Sequence, residues 1–148
     1  MLIERIRADL TAATKAKDVD RLRTLRSVIA AVQEAQVAGE EAVTLDDDGV
    51  QAVVTAQVKR RVDAAEAFEA GGADERAAAE RAEIVILEEY LPAALGDDEL
   101  EALVDEVFAA NGFSTKADMG PAMKAVNARV AGRADGRRVA DLVRSRLA

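Results

Sequence analysis

Apolar residues recur three and four positions apart along almost the whole chain, and this spacing restricts the fold more than any other feature. It places the apolar side chains on one face of successive α-helices, whereas a half-buried strand needs strict alternation, which no segment shows. The apolar stripes and the capping residues between them predict seven helices, over about residues 2–16, 18–39, 44–71, 74–91, 98–111, 118–132 and 135–147. We therefore expect an all-α fold.

Residues that start or stop helices set the predicted boundaries. Thr44–Asp47 and Asp98–Glu101 have the pattern of a capping box, in which two side chains three positions apart each accept a backbone N–H. Pro92 ends the fourth helix, because a proline disfavours helical geometry in the residue before it. Pro121 is compatible with a helix only in its first turn, so we place the start of the regular sixth helix at about Asp118.

The segment from Pro92 to Gly96 is the predicted boundary between two domains. The helices beyond it are shorter, and the charge of the chain changes sign further along. We expect a helical N-terminal domain over residues 1–92 and a small three-helix C-terminal domain over residues 93–148. Each domain is predicted to bury its own apolar core.

The net charge of −8 is unevenly distributed along the chain. Residues 1–45 carry seven basic and seven acidic side chains, residues 46–106 carry five and eighteen, and residues 107–148 carry eight and three. The acidic middle favours solubility and opposes indiscriminate coating of nucleic acid, so we expect no general DNA binding. The basic C-terminal segment is the part whose charge indicates a partner.

The chain contains neither cysteine nor histidine. Disulfides and thiol chemistry are therefore excluded, and the commonest general base and metal ligand is missing. No serine or threonine has an identifiable base to activate it. We expect no catalytic residue, no metal and no cofactor. Because a signal sequence and a long apolar run are also missing, we expect a cytoplasmic protein that does not enter a membrane.

Two acidic clusters raise metal-binding hypotheses that their spacing does not favour. Asp46–Asp48 lacks the alternating oxygen ligands of a calcium loop and is interpreted as a helix start, where the helix dipole favours carboxylates. Glu80, Glu83, Glu88 and Glu89 lie on one helix, but the di-iron pattern requires histidine as well. We interpret these four as a solvated acidic face.

Basic side chains near the C-terminal end form the one candidate binding site. Arg137 and Arg144 are seven residues apart and therefore share a face of the last helix, opposite its apolar stripe. Such cations suit the phosphates of RNA. The alternative is an ordinary solvated surface, in which Asp141 partly neutralises both arginines. The predicted RNA-binding set is Lys116, Lys124, Arg129, Arg133, Arg137, Arg138 and Arg144.

Several segments, in this order, resemble the GatB/YqeY family over essentially the whole chain. They are Ala16–Asp18, Leu25–Arg26, Val58–Arg61, Glu83–Pro92, Asp118–Gly120, and Gly132–Gly136 with Val139, Leu142 and Val143. The most specific are Glu-Tyr-Leu-Pro, ending at Pro92, and Gly-Arg-Ala-Asp-Gly, ending at Gly136. Two positions depart from the family pattern: Thr14 stands where methionine is usual, and Pro121 follows the Asp-Met-Gly segment.

The resemblance implies a helical N-terminal domain followed by a three-helix domain similar to the tail of the B subunit of the tRNA-dependent amidotransferase. In that enzyme the tail helps to hold the tRNA whose misattached amino acid is amidated. Membership of the family implies an association with carbon–nitrogen ligation that uses glutamine as the amide donor. This chain is too short to contain the catalytic parts of that enzyme, so the activity is not expected of the chain alone.

Three hypotheses for the function follow. The first is an accessory protein that binds tRNA or another structured RNA through the basic set. The second is a protein–protein adaptor that acts through the acidic N-terminal helices without binding RNA. The third is an independent enzyme, against which the absence of histidine, cysteine and any nucleophile–base pair counts.

Overall fold

The computed structural model describes residues 1–148 and contains only helices and the segments that join them. The all-α prediction is confirmed. No helix combines the length and the apolar composition that crossing a membrane requires. The elements are α1 (Leu2–Ala16), α2 (Val19–Val37), α3 (Asp47–Ala70), α4 (Asp74–Glu88), α5 (Asp97–Asn111), a short 3-10 turn (Lys116–Asp118), α6 (Met119–Val130) and α7 (Gly136–Arg146).

The helices group into two compact units, which we call unit 1 (Met1–Pro92) and unit 2 (Ala93–Ala148). Unit 1 contains α1 to α4, and unit 2 contains α5, the 3-10 turn, α6 and α7. Whether each unit folds as an independent domain stays a prediction.

In unit 1, the hairpin of α3 and α4 packs most closely, and α1 and α2 form a second pair. The side chains that the four helices bury together are aliphatic except for one tyrosine: Ile6, Leu25, Val28, Val32, Val50, Val54, Leu87 and Tyr90. Most of them come from the apolar stripes that the spacing predicts, because burial of aliphatic surface is the main force that holds amphipathic helices together.

The N-terminal caps of α2 and α3 are both aspartates. The Asp18 carboxylate accepts the backbone N–H of Arg21 at 3.2 Å, as its position in the sequence predicts. The Asp46 carboxylate accepts the N–H of Gly49 at 2.8 Å, so the prediction that Thr44 caps α3 is wrong by two residues. An ionised carboxylate accepts a backbone N–H more strongly than a hydroxyl does, which favours Asp46.

Tyr90 closes unit 1 at the end of α4. Its hydroxyl donates to the Asp9 carboxylate at 2.5 Å and accepts from Arg21 at 3.2 Å, while the Arg5 guanidinium lies 4.8 Å from the ring centre. Burial, and then the neighbouring Asp9 carboxylate, raise the pKa of the Tyr90 phenol, so it stays a hydrogen-bond donor at neutral pH. One side chain therefore links α1, α2 and the segment after α4, where Glu89 also pairs with Arg21 at 2.9 Å.

In unit 2, the three α-helices enclose a separate aliphatic core. Its buried members are Leu95, Leu100, Leu103, Val104, Val107, Ala122, Val126, Val130, Val139 and Val143. Backbone hydrogen bonds hold the connecting segments against this core. The Leu95 N–H donates to the backbone carbonyl of Arg133 at 2.8 Å, and the Ala148 N–H donates to that of Ser114 at 3.0 Å. The second bond places the end of the chain beside the segment that precedes the 3-10 turn.

The helix ends of unit 2 differ from the predicted ones by one or two residues. Glu99 accepts the N–H of Gly96 at 3.1 Å, so α5 begins at Asp97 and the capping box predicted over Asp98–Glu101 is wrong. Pro121 is the third residue of α6, where the backbone N–H has no partner within the helix, so its missing N–H costs nothing and α6 runs on to Val130. Its predicted place in the first turn is confirmed.

The 3-10 turn is fixed by the Asp118 carboxylate. It accepts the backbone N–H groups of Ser114 and Thr115, both at 2.9 Å, and the Thr115 hydroxyl at 3.2 Å. The bonds from the Ser114 and Thr115 backbone lower the pKa of Asp118 below its ordinary value of 3.8. The ionised form therefore stabilises the turn that leads into α6.

We expect Tyr90→Phe to lower the free energy of unfolding by about 1–2 kcal/mol, because the ring stays buried while the hydrogen bond to Asp9 is lost. Urea denaturation of the parent and the variant measures the difference. In a double-mutant cycle, Asp9→Ala should cost less in the Tyr90→Phe background than in the parent, because the two side chains share one bond. Strict additivity would show that the hydroxyl and the carboxylate do not interact in solution.

We expect Asp118→Asn to lower stability at neutral pH and to lose this effect in acid. Because the pKa of Asp118 is lower in the folded chain, its contribution is present above the ordinary value of 3.8 and disappears as the pH falls through the folded value. Thermal melting between neutral pH and about pH 2.5 measures this, since that range spans the titration of an aspartate. A difference between variant and parent that stays constant through the acid range contradicts the assignment.

Candidate nucleic-acid interface

The seven basic side chains predicted to bind RNA all lie in unit 2, and none lies on α5. Lys116 belongs to the 3-10 turn, Lys124 and Arg129 to α6, Arg133 to the loop after α6, and Arg137, Arg138 and Arg144 to α7. Across the whole of unit 2, eight basic side chains face nine acidic ones, so the unit is close to neutral. Its positive charge is confined to the part that follows α5.

Burial of the apolar stripes decides which cations of α6 and α7 reach solvent. On α7, Val139 and Val143 point into the core and are fully buried, which leaves Arg137 and Arg144 exposed on the opposite face. On α6, Val126 is fully buried and Lys124 is exposed. The shared face of Arg137 and Arg144, predicted from their spacing, follows directly from this packing.

Four of the seven cations are exposed and free of strong contacts. Lys116, Lys124 and Arg137 make neither an ion pair nor a side-chain hydrogen bond. Arg144 pairs with Asp141 at 3.1 Å, but both side chains are about two-thirds exposed, so the pair contributes little. We call Lys116, Lys124, Arg137 and Arg144 the exposed basic set.

The backbone brings two members of the exposed basic set to one end of α7. Lys116 N–H donates to the carbonyl of Ala148 at 3.3 Å, four residues beyond Arg144. The 3-10 turn therefore lies beside the C-terminal end of α7. This neighbourhood was not predictable from helical spacing, because Lys116 and Arg144 belong to different elements.

The other three cations are engaged within unit 2. Arg129 pairs with Glu106 of α5 at 2.8 Å, and Arg138 pairs with Asp97 at the start of α5. Arg133 is half-buried and donates to the carbonyls of Val130 and Arg129, each at 3.1 Å. A phosphate must displace these contacts before it binds, so these three side chains are less available than the exposed basic set.

The acidic helix α5 accounts for much of this pairing. It carries six carboxylates and no basic side chain, and all six are exposed. Arg146, which was not among the predicted site residues, pairs with Asp105 at 2.8 Å, and this bond raises the pKa of its guanidinium. Arginines of α6 and α7 therefore pair with three of the six carboxylates of α5, while the cations on the outer faces stay free.

In unit 1, the interpretation of the acidic residues of α4 as a solvated face is wrong for Glu83. Its side chain is only 17% exposed and accepts Arg61 Nε at 2.8 Å and Arg23 at 3.3 Å. Arg61 lies on α3, so the ion pair joins two different helices. The periodicity of α4 alone therefore does not predict it. Glu80 is half-buried, and Glu88 is exposed as predicted.

Comparison with known families gives one finding. The family model described as "Yqey-like protein" matches residues 3–147, which is essentially the whole chain. No curated protein matches the sequence.

The neighbours Arg137 and Arg138 should differ in their effect on stability. We expect Arg138→Ala to lower the free energy of unfolding by about 0.5–1.5 kcal/mol, because it loses the contact with Asp97 and the buried part of its stem. Arg137→Ala, the matched control, should stay within about 0.5 kcal/mol of the parent. Chemical denaturation distinguishes the two, and equal effects would show that the Arg138–Asp97 pair does not stabilise unit 2.

Proposed function

The chain belongs to the Yqey-like protein family, and we propose that it is an accessory protein that binds structured RNA such as tRNA through the exposed basic set of unit 2. The proposal extends to the relation with the glutamine-dependent tRNA amidotransferase that the sequence resemblance implies. It assigns the isolated chain no reaction, because neither histidine nor cysteine is present. The one threonine hydroxyl bonded to a carboxylate, that of Thr115, belongs to the hydrogen bonds with which Asp118 holds the 3-10 turn.

The observation that carries the proposal is the incomplete neutralisation of α6 and α7. Arginines that only stabilise the fold are expected to have partners, as Arg129, Arg138 and Arg146 do. Lys116, Lys124 and Arg137 have none. Unpaired cations on a rigid surface can meet phosphates without breaking existing contacts, and each contact releases counterions from the nucleic acid.

Phosphate contacts, rather than stacking on bases, are the mode of binding that the composition supports. Unit 2 contains two aromatic side chains, Phe108 and Phe113, and their rings pack edge to face with centroids 5.7 Å apart. Both are half-buried against the core, so neither offers a free face of the kind that single-stranded RNA requires. Recognition through phosphates favours folded RNA, whose backbone geometry is fixed.

A salt titration with total tRNA tests the proposal. Four phosphate contacts predict a slope of log affinity against log salt of about −3.6 on duplex stems, or about −2.8 on single-stranded segments. Changing Arg137 and Arg144 together to Ala should make the slope shallower by about 1.4–1.8, which corresponds to two contacts. Both side chains are exposed, so the core residues of α7 and the fold should be unaffected.

The matched control is Arg7→Ala/Lys15→Ala, which removes the same charge from exposed positions of α1 in unit 1. Its slope should equal that of the parent. If both double variants lower the slope equally, binding depends on overall charge and the exposed basic set is an ordinary solvated surface. If the parent binds no tRNA at low salt, the adaptor hypothesis replaces the RNA hypothesis.

A further inference from the structure

Unit 1 contains an open groove of about 410 Å³ between α2, α3 and α4. One stripe of α2, from Ser27 to Glu34, and one stripe of α3, from Gln57 to Ala64, form its two long walls. Glu80 and Glu83 of α4 complete it. The volume falls within the range of about 300–1,000 Å³ that is usual for ligand sites.

Ser27, Gln57 and Arg61 each bring at least one unused hydrogen-bond donor to the groove. Arg61 Nε binds Glu83, Nη1 donates to the carbonyl and the side chain of Gln57, and Nη2 donates to Ser27 Oγ at 3.2 Å. These bonds use four of the five N–H groups of Arg61. Ser27 accepts in this network and donates to nothing, and the amide nitrogen of Gln57 has no partner.

This donor set is rigidly held. The Arg61 side chain is 11% exposed, and its ion pair with Glu83 fixes the guanidinium plane. Ser27 also differs from Thr11, Thr14 and Thr24, whose hydroxyls donate to the carbonyl four residues earlier in their own helices. The Ser27 hydroxyl oxygen instead accepts from Arg61, in a residue that lines the groove. A ligand with carbonyl oxygens therefore finds donors that are already oriented.

The groove also carries the opposite chemistry. Glu34 on α2 and Glu80 on α4 line it, and neither makes an ion pair or a hydrogen bond. Arg60 is the one unpaired cation there. Because Arg61 and Glu83 neutralise each other, the remaining charge of the groove is negative and favours a cation.

We propose that this groove binds a peptide segment of a partner protein that carries an arginine or lysine side chain. The carbonyl groups of the segment accept hydrogen bonds from Ser27, Gln57 and Arg61. Its cationic side chain lies between Glu34 and Glu80. The alanines at positions 30, 31 and 64 leave room for a peptide backbone to approach the helices. The site is independent of the RNA proposal, which concerns unit 2.

The shape of the groove decides between a chain segment and a small free ligand. Sites for small ligands enclose about 70–90% of the ligand surface. This groove is open along one side, so it covers only part of any occupant. A segment that continues beyond the groove at both ends suits such an opening, because its remaining surface belongs to the partner protein.

Binding of a capped tripeptide, acetyl-Gly-Arg-Gly-amide, to the ¹⁵N-labelled full chain tests the proposal by NMR. At millimolar peptide we expect saturable shifts at the backbone amides of residues 27–34, 57–64 and 80–83. The same peptide with citrulline, which has nearly the shape of arginine but no charge, should bind more weakly. Ethylguanidinium, which keeps the cation and has no carbonyl or carboxylate group, should also bind more weakly.

Two variants of the protein test the carboxylates and the hydrogen-bond donors of the groove separately. Glu34→Gln/Glu80→Gln should lower the affinity for the arginine peptide about 2–30-fold, because two partly exposed charge pairs are lost. The affinities for the arginine and citrulline peptides should then be equal. Ser27→Ala should weaken both peptides about 2–12-fold, the loss of one neutral hydrogen bond. Glu40→Gln/Glu88→Gln makes the same change in net charge at exposed positions outside the groove and should bind as the parent does.

Three results would overturn the proposal. One is the absence of saturable shifts at millimolar peptide. Another is equal weakening by the groove and control double variants, which would mean that the peptide binds the acidic surface as a whole. The third is equal affinity for ethylguanidinium and the tripeptide, which would make the occupant a small cation rather than a chain segment.

Discussion

The ion pair between Arg61 and Glu83, with the hydrogen bonds that Ser27 and Arg23 add to it, joins three helices of unit 1 at one point. Burying two charges is unfavourable unless their remaining hydrogen-bonding groups are satisfied, and here Gln57, Ser27 and Arg23 supply the partners. Two of these partners, Gln57 and Ser27, also line the groove, and no buried side-chain nitrogen or oxygen in the protein lacks a partner. This network therefore helps to hold α2 against the α3–α4 hairpin, beside the aliphatic core, and it sets the chemistry of the groove.

Unit 2 distributes its charges differently. The carboxylates of α5 take up Arg129, Arg138 and Arg146, so these arginines hold the three helices together at their exposed edges. The pairs are exposed and individually weak, and the aliphatic core contributes most of the stability. Their effect is to separate the cations into a paired group beside α5 and a free group on the outer faces of α6 and α7. The free group is what makes a phosphate-binding function chemically reasonable.

Sequence patterns predicted the elements well and the contacts between them poorly, for a physical reason. Apolar periodicity reports the local environment along one helix, and it predicted the number of α-helices and the inward faces of α6 and α7. The spacing did not identify the capping residues of α3 and α5 correctly, because runs such as Asp46–Asp48 and Gly96–Glu99 contain several residues that can begin a helix. Pairs such as Arg61–Glu83 and Arg138–Asp97 join residues 22 and 41 positions apart, and no local pattern encodes them.

The two proposed sites share no residue and lie in different units, so occupation of one does not remove any group from the other. This separation matters because the two proposals concern different partners. A chain that bound RNA at one site and a peptide at the other would hold both at once, and binding of the second component would then become an intramolecular event with a raised effective concentration. The gain requires only modest affinity at each site. The exposed basic set proposed for RNA and the open groove proposed for a peptide would each bind with modest affinity, and modest affinity at each site permits release.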